Sequence, residues 1–383
     1  MKKAIIFLSV ILAMLSTLAI LLHFEVVGTK TGTQQTVATG ESTLYSQDAT
    51  GENSDPNQTT DVDRGGETTP TTEPPTTEPP TTTEPEPVIE ESGKTVIYEG
   101  VSLRTYYIDG EETLMARAAD LAMEGEEYVP LMATVEQQGY PMWEDEESGI
   151  LYITPSAKPF AIPEDVNVPV LMYHAVSDNM WGINELFVSP SEMEKQLAYL
   201  VENGYDPIWF QDLSHVEDYD KPVILTFDDG YDDNYTELFP LLQKYEVKAT
   251  VFVIGNAMGT SHKMTEEQVK ELSDSGLVSI QSHGYTHHDL NVMGEEELEH
   301  ELGDTWRILT RVTGKIPSVL CYPTGRYSSL TIEVGQRYYN FGLKMNGGLY
   351  NTSVDDPFEI SRYYVSRYTD IYSFASYIEN AGK

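Results

Sequence analysis

Short apolar runs alternate with amphipathic segments along the second half of the chain. The apolar runs are rich in Val, Ile, Leu and aromatic residues, and they are Val168–Tyr173, Pro222–Phe227, Ala249–Ile254, Leu277–Ser282 and Ser318–Tyr322. Such runs are typical of strands buried on both faces of a parallel sheet. The segments between them place apolar residues at helical spacing, and one starts with the capping signal Ser189-Pro190. These repeated strand–helix units predict an α/β domain over residues 157–383, either a barrel or a doubly wound sheet.

A smaller α+β module is predicted over residues 93–156, with a short helix that begins at Pro130. Its strand-like pieces are Thr95–Tyr98, Leu103–Ile108 and Ile150–Thr154. It resembles the copper-amine-oxidase N-terminal-like domain found beside wall enzymes in three segments, Tyr128–Leu131, Gly139–Tyr140 and Trp143–Asp145. The module contains no histidine, so we expect it to hold no copper. It either binds the cell wall or acts as a spacer, and we favour the spacer.

The N-terminal part of the chain is predicted to export and tether the rest. Lys2 and Lys3 precede an apolar run from Ala4 to Leu22, which is near the length that spans a bilayer, and no clear small-residue cleavage site follows it. We favour an uncleaved signal-anchor over residues 1–24, with a cleaved signal peptide as the alternative. Residues 25–92 are rich in Thr, Pro, Glu and Gly and predict a disordered linker.

Charge and cysteine content limit the partners and the cellular location of the chain. Acidic residues outnumber basic ones by 62 to 23, for a formal net charge of -39, which argues against a nucleic-acid partner. Cys321 is the single cysteine, so no intrachain disulfide can form. Together with the N-terminal apolar run, this favours a Gram-positive source, with the chain at the extracellular face of the membrane, in the cell wall or secreted.

Polar residues follow four of the predicted strands at the point where each strand ends. In chain order they are His174, the pair Asp228-Asp229, His283 with His287 close behind it, and the turn Pro323-Thr324-Gly325. Because the carboxyl ends of parallel strands meet at one edge of a sheet or barrel, we expect these groups to converge there.

Two of these groups suggest a metal site. Adjacent carboxylates repel each other unless a positive group holds one of them, so Asp228 and Asp229 suit a division between proton transfer and metal binding. A plain surface turn is the alternative. His283 and His287 lie four positions apart, which on a helical turn would place both rings on one face. Two histidines and one carboxylate suit zinc or a similar divalent ion. His288 is expected to be a spare or supporting group, and His215, His262 and His300 are expected to be solvated surface residues.

Residues 168–367 resemble the polysaccharide deacetylases (carbohydrate esterase family four). The resemblance rests on three motifs, Thr226–Gly230, Ser282–His287 and Tyr322–Gly325. It implies a distorted (β/α) barrel that hydrolyses N-acetyl or O-acetyl groups on carbohydrate. By matched position it implies that Asp228 is the general base, and that Asp229, His283 and His287 bind the metal, with Zn²⁺ favoured. It also implies that the backbone N–H of Thr324 helps to bind the oxyanion.

The chain departs from the common pattern of this family. Gly284 replaces a Ser or Thr, Cys321 stands where many members have an arginine that steadies the base, and Thr324 stands where they have tyrosine. The family's general-acid histidine normally comes late, but no histidine follows His300. The early segment ending in His174 is similar to the poly-N-acetylglucosamine deacetylase branch, in which the motif order is circularly permuted. This implies that His174 is the acid; a structural histidine that caps a strand is the alternative.

These features predict an N-deacetylase of an extracellular amino-sugar polymer, such as poly-N-acetylglucosamine, peptidoglycan or a chitin-like chain. One alternative is an O-acetyl esterase that acts on wall polysaccharide. The other is a non-catalytic carbohydrate-binding protein on a degenerate barrel, which the three departures favour and the complete set of metal and base residues opposes.

Overall fold

The computed structural model describes residues 86–163, 165–345 and 347–383. The predicted signal-anchor and the linker up to residue 85 lie outside these residues. In the part of the chain that is described, no helix has both the length and the apolar character needed to cross a bilayer.

The small module is built from two four-stranded sheets and one helix. Its strands are β1 (Ile89–Glu91), β2 (Val96–Tyr98), β3 (Val101–Leu103), β4 (Thr105–Ile108), β5 (Met115–Arg117), β6 (Tyr128–Pro130), β7 (Met142–Glu144) and β8 (Leu151–Ile153). One sheet has the order β1-β4-β5-β6 and the other β3-β2-β8-β7. Helix α1 (Leu131–Gln138) follows Pro130, as the sequence predicts, and ends at Gly139 with a left-handed φ of 65°. Since β1 pairs with β4, the module begins ahead of residue 93.

The larger domain alternates strands and helices. Its strands are β9 (Asn167–Tyr173), β10 (Ala175–Val176), β11 (Phe187–Val188), β12 (Asp206–Pro207), β13 (Pro222–Phe227), β14 (Ala249–Val253), β15 (Val278–Ser282), β16 (Val319–Cys321), β17 (Phe341–Leu343), β18 (Leu349–Asn351) and β19 (Tyr363–Tyr364). Its helices are α2 (Pro190–Glu202), α3 (Phe239–Tyr245), α4 (Glu266–Asp274), α5 (Glu295–Thr313), α6 (Ser329–Gly335) and α7 (Ile371–Ile378). The five strands that the sequence predicts are β9, β13, β14, β15 and β16.

The main sheet is parallel and curls into a distorted barrel. Its order is β17-β16-β15-β14-β13-β9-β18, and only β18 runs antiparallel to its neighbour. The segment 360–364 pairs with the two outermost strands of the parallel part. Ile360 forms a β-bridge to Leu343 of β17, and Tyr363–Tyr364 pairs with β9. The predicted (β/α) barrel is therefore confirmed, and the doubly wound alternative is wrong.

Local signals in the sequence account for the helices around this sheet. Ser189 caps α2 by accepting a hydrogen bond from the Glu192 N–H at 3.2 Å, and Thr265 and Gln268 form a capping box at the start of α4. Strands β9, β13 and β14 are buried along almost their whole length. Their apolar side chains form the core between sheet and helices, which explains why runs without alternation mark them in the sequence.

The small module packs directly against the α/β domain. The Ile316 N–H donates a buried hydrogen bond of 2.9 Å to the Thr154 hydroxyl. Arg311 pairs with Asp145 at 3.2 Å. A Cβ placed on Gly314 would lie 2.7 Å from the Cα of Gly100, so this close approach of two backbones requires glycine.

Candidate active site

The two aspartates after β13 point to different partners. The chain turns sharply at this strand end, where Asp229 has a φ of 77°. Asp228 faces Arg362 and Cys321, whereas Asp229 faces His283 and His287. Both carboxylates are buried, and this left-handed turn is what separates them.

Arg362 clamps Asp228 from inside the barrel. Its two terminal nitrogens donate to the two carboxylate oxygens at 2.7 and 2.8 Å, and one of them also contacts the Cys321 thiol at 3.1 Å. Both residues are almost fully buried. Burial by itself would raise the pKa of Asp228, but the charge and hydrogen bonds of Arg362 outweigh it and hold the pKa well below its ordinary value. Asp228 is therefore ionised at every working pH.

Arg362 is a residue of this site that the sequence does not predict. The resemblance drew attention to Cys321, where many family members have an arginine. In this chain the guanidinium comes instead from the segment that closes the barrel, and it reaches the space beside the Cys321 side chain. The available signal was the basic residue just before the short run Tyr363–Tyr364, which gives too brief a pattern to be read as a strand.

Asp229, His283 and His287 converge on one point. The Nε2 atoms of His283 and His287 lie 3.6 and 3.4 Å from Oδ1 of Asp229, and the three donor atoms are all within 4.8 Å of one another. The helical-turn argument for this pair is wrong, because the histidines lie in a loop after β15. The loop turns back through left-handed residues, with φ of 72° at Gly284 and 63° at His287.

The ring of His283 is held with its Nε2 toward Asp229. Its Nδ1 lies 2.9 Å from the Cys321 carbonyl oxygen, which can only accept, so Nδ1 carries the proton and Nε2 keeps its lone pair. Burial lowers the pKa of His283 to about 4, despite the opposing charges of Asp228 and Asp229. The imidazole is therefore neutral, which is the form that binds a cation. One carboxylate and two imidazoles fit a divalent ion such as zinc.

Glu301 of α5 holds the loop between the two histidines. Its Oε2 accepts from the N–H groups of Tyr285 and Thr286 at 2.9 Å each, and its Oε1 accepts from the Thr286 hydroxyl at 2.5 Å. Glu301 is only 4% exposed, although most of the neighbouring glutamates in this helix lie at the surface. A buried carboxylate that accepts three hydrogen bonds from one loop fixes the position of that loop.

His174 lies on the other side of Asp228. Its Nε2 is 3.9 Å from Oδ2 of Asp228, and its side chain is 13% exposed. Burial lowers its pKa, although the charges of Asp228 and Asp229 oppose the shift. Asn234 donates to the His174 carbonyl oxygen at 3.0 Å, while Nδ1 has no hydrogen-bond partner among the described residues. The ring therefore lies at the same edge of the barrel as Asp229, His283 and His287.

Thr324 occupies a tight turn at the end of β16. Its φ of 57° is left-handed, and its hydroxyl donates to Asp289 at 2.6 Å. Asp289 is also paired with Arg326, so the turn is tied to the loop that carries His287. Within the described residues the Thr324 N–H makes no hydrogen bond in the fold. It is free to donate to a bound group.

The remaining histidines make other contacts. His215 and His300 are exposed side chains that pair with nearby aspartates, and His288 accepts or donates at the Thr286 hydroxyl, 2.8 Å away. His262 is exposed as expected, but it also stacks on Trp181 with ring centroids 4.1 Å apart. The roles predicted for the site residues stay predictions; their placement is what the structure adds.

Comparison with known proteins gives the family. The sequence profile described as polysaccharide deacetylase matches residues 215–340. The Bacillus subtilis protein YxkH, assigned to the polysaccharide deacetylases, is 33% identical over 219 residues, which cover 56% of this chain and 76% of that protein. The poly-beta-1,6-N-acetyl-D-glucosamine N-deacetylase of Escherichia coli K12 is 30% identical over 138 residues, covering 31% of this chain and 20% of that protein.

A solved structure is similar over a longer stretch. The crystal structure of BA0330 from Bacillus anthracis, assigned to the polysaccharide deacetylases, matches with a TM-score of 0.54 at 27% identity. The match covers 77% of this chain and 100% of that one, which is more than residues 157–383 alone could supply, so the likeness includes the small module. The family profile spans the metal donors, Asp228 and Thr324, while His174 and Arg362 lie outside it. The chain belongs to the polysaccharide deacetylase family.

Proposed function

We propose that this chain is a metal-dependent N-deacetylase that removes acetyl groups from an amino-sugar polymer outside the cell. The observation that carries the proposal is the placement of Asp228. Arg362 fixes this carboxylate in its ionised form between two groups, the donor set around Asp229 on one side and His174 on the other. A base, a cation site and an acid within reach of one point are what amide hydrolysis requires.

The donor set supports a divalent cation, and we favour zinc. Asp229, His283 and His287 would hold it and leave coordination positions open. When bound, such an ion polarises the acetamide carbonyl and makes a water molecule more acidic. The neutral His283 ring, oriented by the Cys321 carbonyl, supports this assignment.

Asp228 and His174 would move the protons. Asp228 accepts a proton from water as the water oxygen forms a bond to the acetyl carbon. Arg362 occupies one lone pair on each oxygen of Asp228 and leaves others for the incoming proton. The low pKa of Asp228 favours passing this proton on to His174. A bridging water would carry it, because the 3.9 Å between Oδ2 of Asp228 and Nε2 of His174 exceeds the reach of a direct hydrogen bond. His174 then gives it to the amide nitrogen as the carbon–nitrogen bond breaks, yielding acetate and a free amine.

The Thr324 N–H would stabilise the negative charge on the carbonyl oxygen. A backbone donor that is unused in the fold and held in a rigid turn needs no rearrangement when that charge develops. The sharp Pro323-Thr324-Gly325 turn, which follows β16, holds this N–H in place.

The polymer and the location are inferred from different sources. The name of the Escherichia coli relative refers to poly-beta-1,6-N-acetyl-D-glucosamine, which supports an N-acetylglucosamine polymer as the substrate class; peptidoglycan and chitin-like chains share that unit. Export rests on the apolar run from Ala4 to Leu22 after two lysines. We therefore place the enzyme at the outer face of the membrane or in the wall.

Acetate release from a panel of acetylated glycans tests this function. The full-length chain is incubated with N-acetylated polymers and with an O-acetylated xylan, after chelation and again after zinc is restored. Zinc-dependent acetate from the N-acetylated polymers is the expected result. Acetate from the O-acetylated polymer alone would indicate the esterase, and no acetate from any substrate would favour a carbohydrate-binding protein.

A further inference from the structure

Two adjoining cavities lie along the seam between the small module and the α/β domain. Their volumes are about 560 and 420 Å³, and Pro159 and Ile316 line both. Small-molecule sites fall in this size range and occur often at domain interfaces. Both cavities lie near the amino ends of strands β15, β16 and β17, as the lining residues Val278, Ile316 and Asn340 show. The candidate active site is at the carboxyl ends, so this seam is a separate place.

Tryptophan is concentrated at the seam. The chain has 4 tryptophans, and three of them line these cavities, Trp209 the larger one and Trp143 and Trp306 the smaller one. Trp143 comes from the small module and packs edge-to-face on Trp306 of α5, with ring centroids 5.6 Å apart. The C–H faces of pyranose rings pack well on such flat aromatic surfaces, while the indole N–H can bond to a hydroxyl or a carbonyl.

Each cavity also has one lining residue with an unpaired polar group. In the smaller cavity the Trp306 Nε1 is buried and has no hydrogen-bond partner among the described residues. In the larger cavity the same holds for Oε1 of Gln211, whose Nε2 donates to Ser318. Exchanging the two ends of this amide would still leave one of them unpaired. An unpaired buried polar group costs free energy that a ligand can recover.

Most of the cations that line the seam already have partners. The two arginines that line the smaller cavity are already paired, Arg307 with Asp304 and Arg337 with Glu299. In the larger cavity the Lys315 ammonium donates to the Ser273 carbonyl. Lys158 also lines the larger cavity, and its ammonium has no ion-pair or hydrogen-bond partner in the described part of the chain, so it can donate to a hydroxyl or carbonyl oxygen of a ligand.

We propose that the seam is a second, non-catalytic binding site for a chain of N-acetylated sugars. Aromatic faces would hold the pyranose rings, the indole N–H of Trp306 would donate to an acetamide carbonyl, and the amide oxygen of Gln211 would accept from an N–H or hydroxyl. The small module then holds polymer in place while the barrel acts on another stretch of it. Such a role corresponds to the binding alternative for the small module rather than to the spacer that the sequence favours. The proposal requires no catalysis, so a failure of the proposed function would leave it standing.

The unmodified chain provides the first test. Its four indole N–H signals are resolved by nitrogen-15 NMR, and soluble N-acetylglucosamine oligosaccharides are added as the probe. The signals of Trp143, Trp209 and Trp306 are expected to shift at ligand concentrations that saturate them together. If only the signal of Trp181, beside the candidate active site, responds, the proposal is overturned.

Variants give the second test. Trp306→Phe keeps an aromatic ring and removes the N–H, and Gln211→Leu removes the amide; retention on insoluble N-acetylated polymer should weaken about fivefold for each. Acetate release from a short soluble oligosaccharide should stay within about twofold. Tyr372→Ala is the control, since this aromatic side chain is 83% exposed and lines neither cavity. Unchanged retention by both folded variants contradicts the proposal.

Discussion

Arg362 and Asp228 form a bidentate ion pair in the barrel interior, although they lie 134 positions apart in the chain. Arg362 is 0% exposed, and the same guanidinium contacts Thr226 and Cys321. The pair joins the strand that carries the candidate base to the segment that closes the barrel. Its partners are charged, buried and geometrically matched, so removing either one leaves the other uncompensated.

Replacing Arg362 should therefore affect stability and catalysis together. Arg362→Met leaves a buried carboxylate without a partner, and we expect it to lower the free energy of unfolding by about 3–5 kcal/mol. Displacement of Asp228 should lower kcat by about 100-fold in whatever folds. Chemical denaturation and acetate release measure the two effects.

Adding a second substitution to Arg362→Met tests whether a guanidinium from another position can hold Asp228. The Cys321 thiol lies 3.6 Å from Asp228, so Cys321→Arg places a cation in the same space. The double variant should recover part of the lost activity. Full activity in Arg362→Met alone would show that the clamp on Asp228 is not needed.

The measured metal content of variants should distinguish the role of Asp229 from that of His174. Asp229→Ala removes the donor that both histidines face, and we expect it to lose bound zinc and all zinc-dependent acetate release. Metal analysis of the purified variant after dialysis against zinc checks this. A variant that retains one equivalent of zinc would place the ion elsewhere.

His174→Ala should keep the metal and lose turnover. The ring touches Asp228 rather than the donor set, so we expect zinc content to remain and kcat to fall by about 100- to 10,000-fold, the usual contribution of a general acid. The loss should be smaller with an acetyl ester, because an alcohol leaves more easily than an amine. Loss of zinc in this variant would instead make His174 a ligand.

Glu301 offers a test of the loop that carries the histidines. Glu301→Ala removes the acceptor of two backbone N–H groups and one hydroxyl. Supports of this kind around metal ligands are worth about 10- to 100-fold in metal affinity, and we expect zinc affinity to fall by that factor. Competition with a fluorescent chelator measures it. Glu296→Ala, an exposed glutamate of the same helix, is the control and should leave the affinity unchanged.

The sequence predicted the parts of this molecule whose signal is local. Uninterrupted apolar runs mark β9 and β13 because both faces of these strands are buried, and the polar residue after each run marks the rim. Arg362 could not be found in this way. Its partner is distant in the chain, and β19 is two residues long, too short to carry a periodic pattern. The histidine pair was found for the wrong reason, since its convergence depends on left-handed backbone at Gly284 and His287 that spacing alone does not reveal.

Asp233 should make the folded state less stable as the pH rises. Its Oδ1 accepts from the Val176 N–H at 3.0 Å, but its Oδ2 is buried and has no partner in the described chain. Burial, helped by the neighbouring charges of Asp232 and Glu237, raises the pKa of Asp233 to about 6. The folded state therefore binds this proton more tightly than the unfolded state. The contribution to stability is complete below the ordinary pKa of 3.8 and is lost as the pH rises through about 6.

Asp233→Asn removes the ionisable group and keeps the acceptor for Val176. We expect it to raise the free energy of unfolding by about 2 kcal/mol at about pH 8 and to change it little at about pH 4. Urea denaturation at the two pH values measures the difference. Asp218→Asn, which changes an exposed carboxyl, should shift neither value appreciably. If Asp233→Asn proved destabilising at the higher pH, the ionised carboxylate would have to be compensated by the fold, and its unpaired Oδ2 would need another explanation.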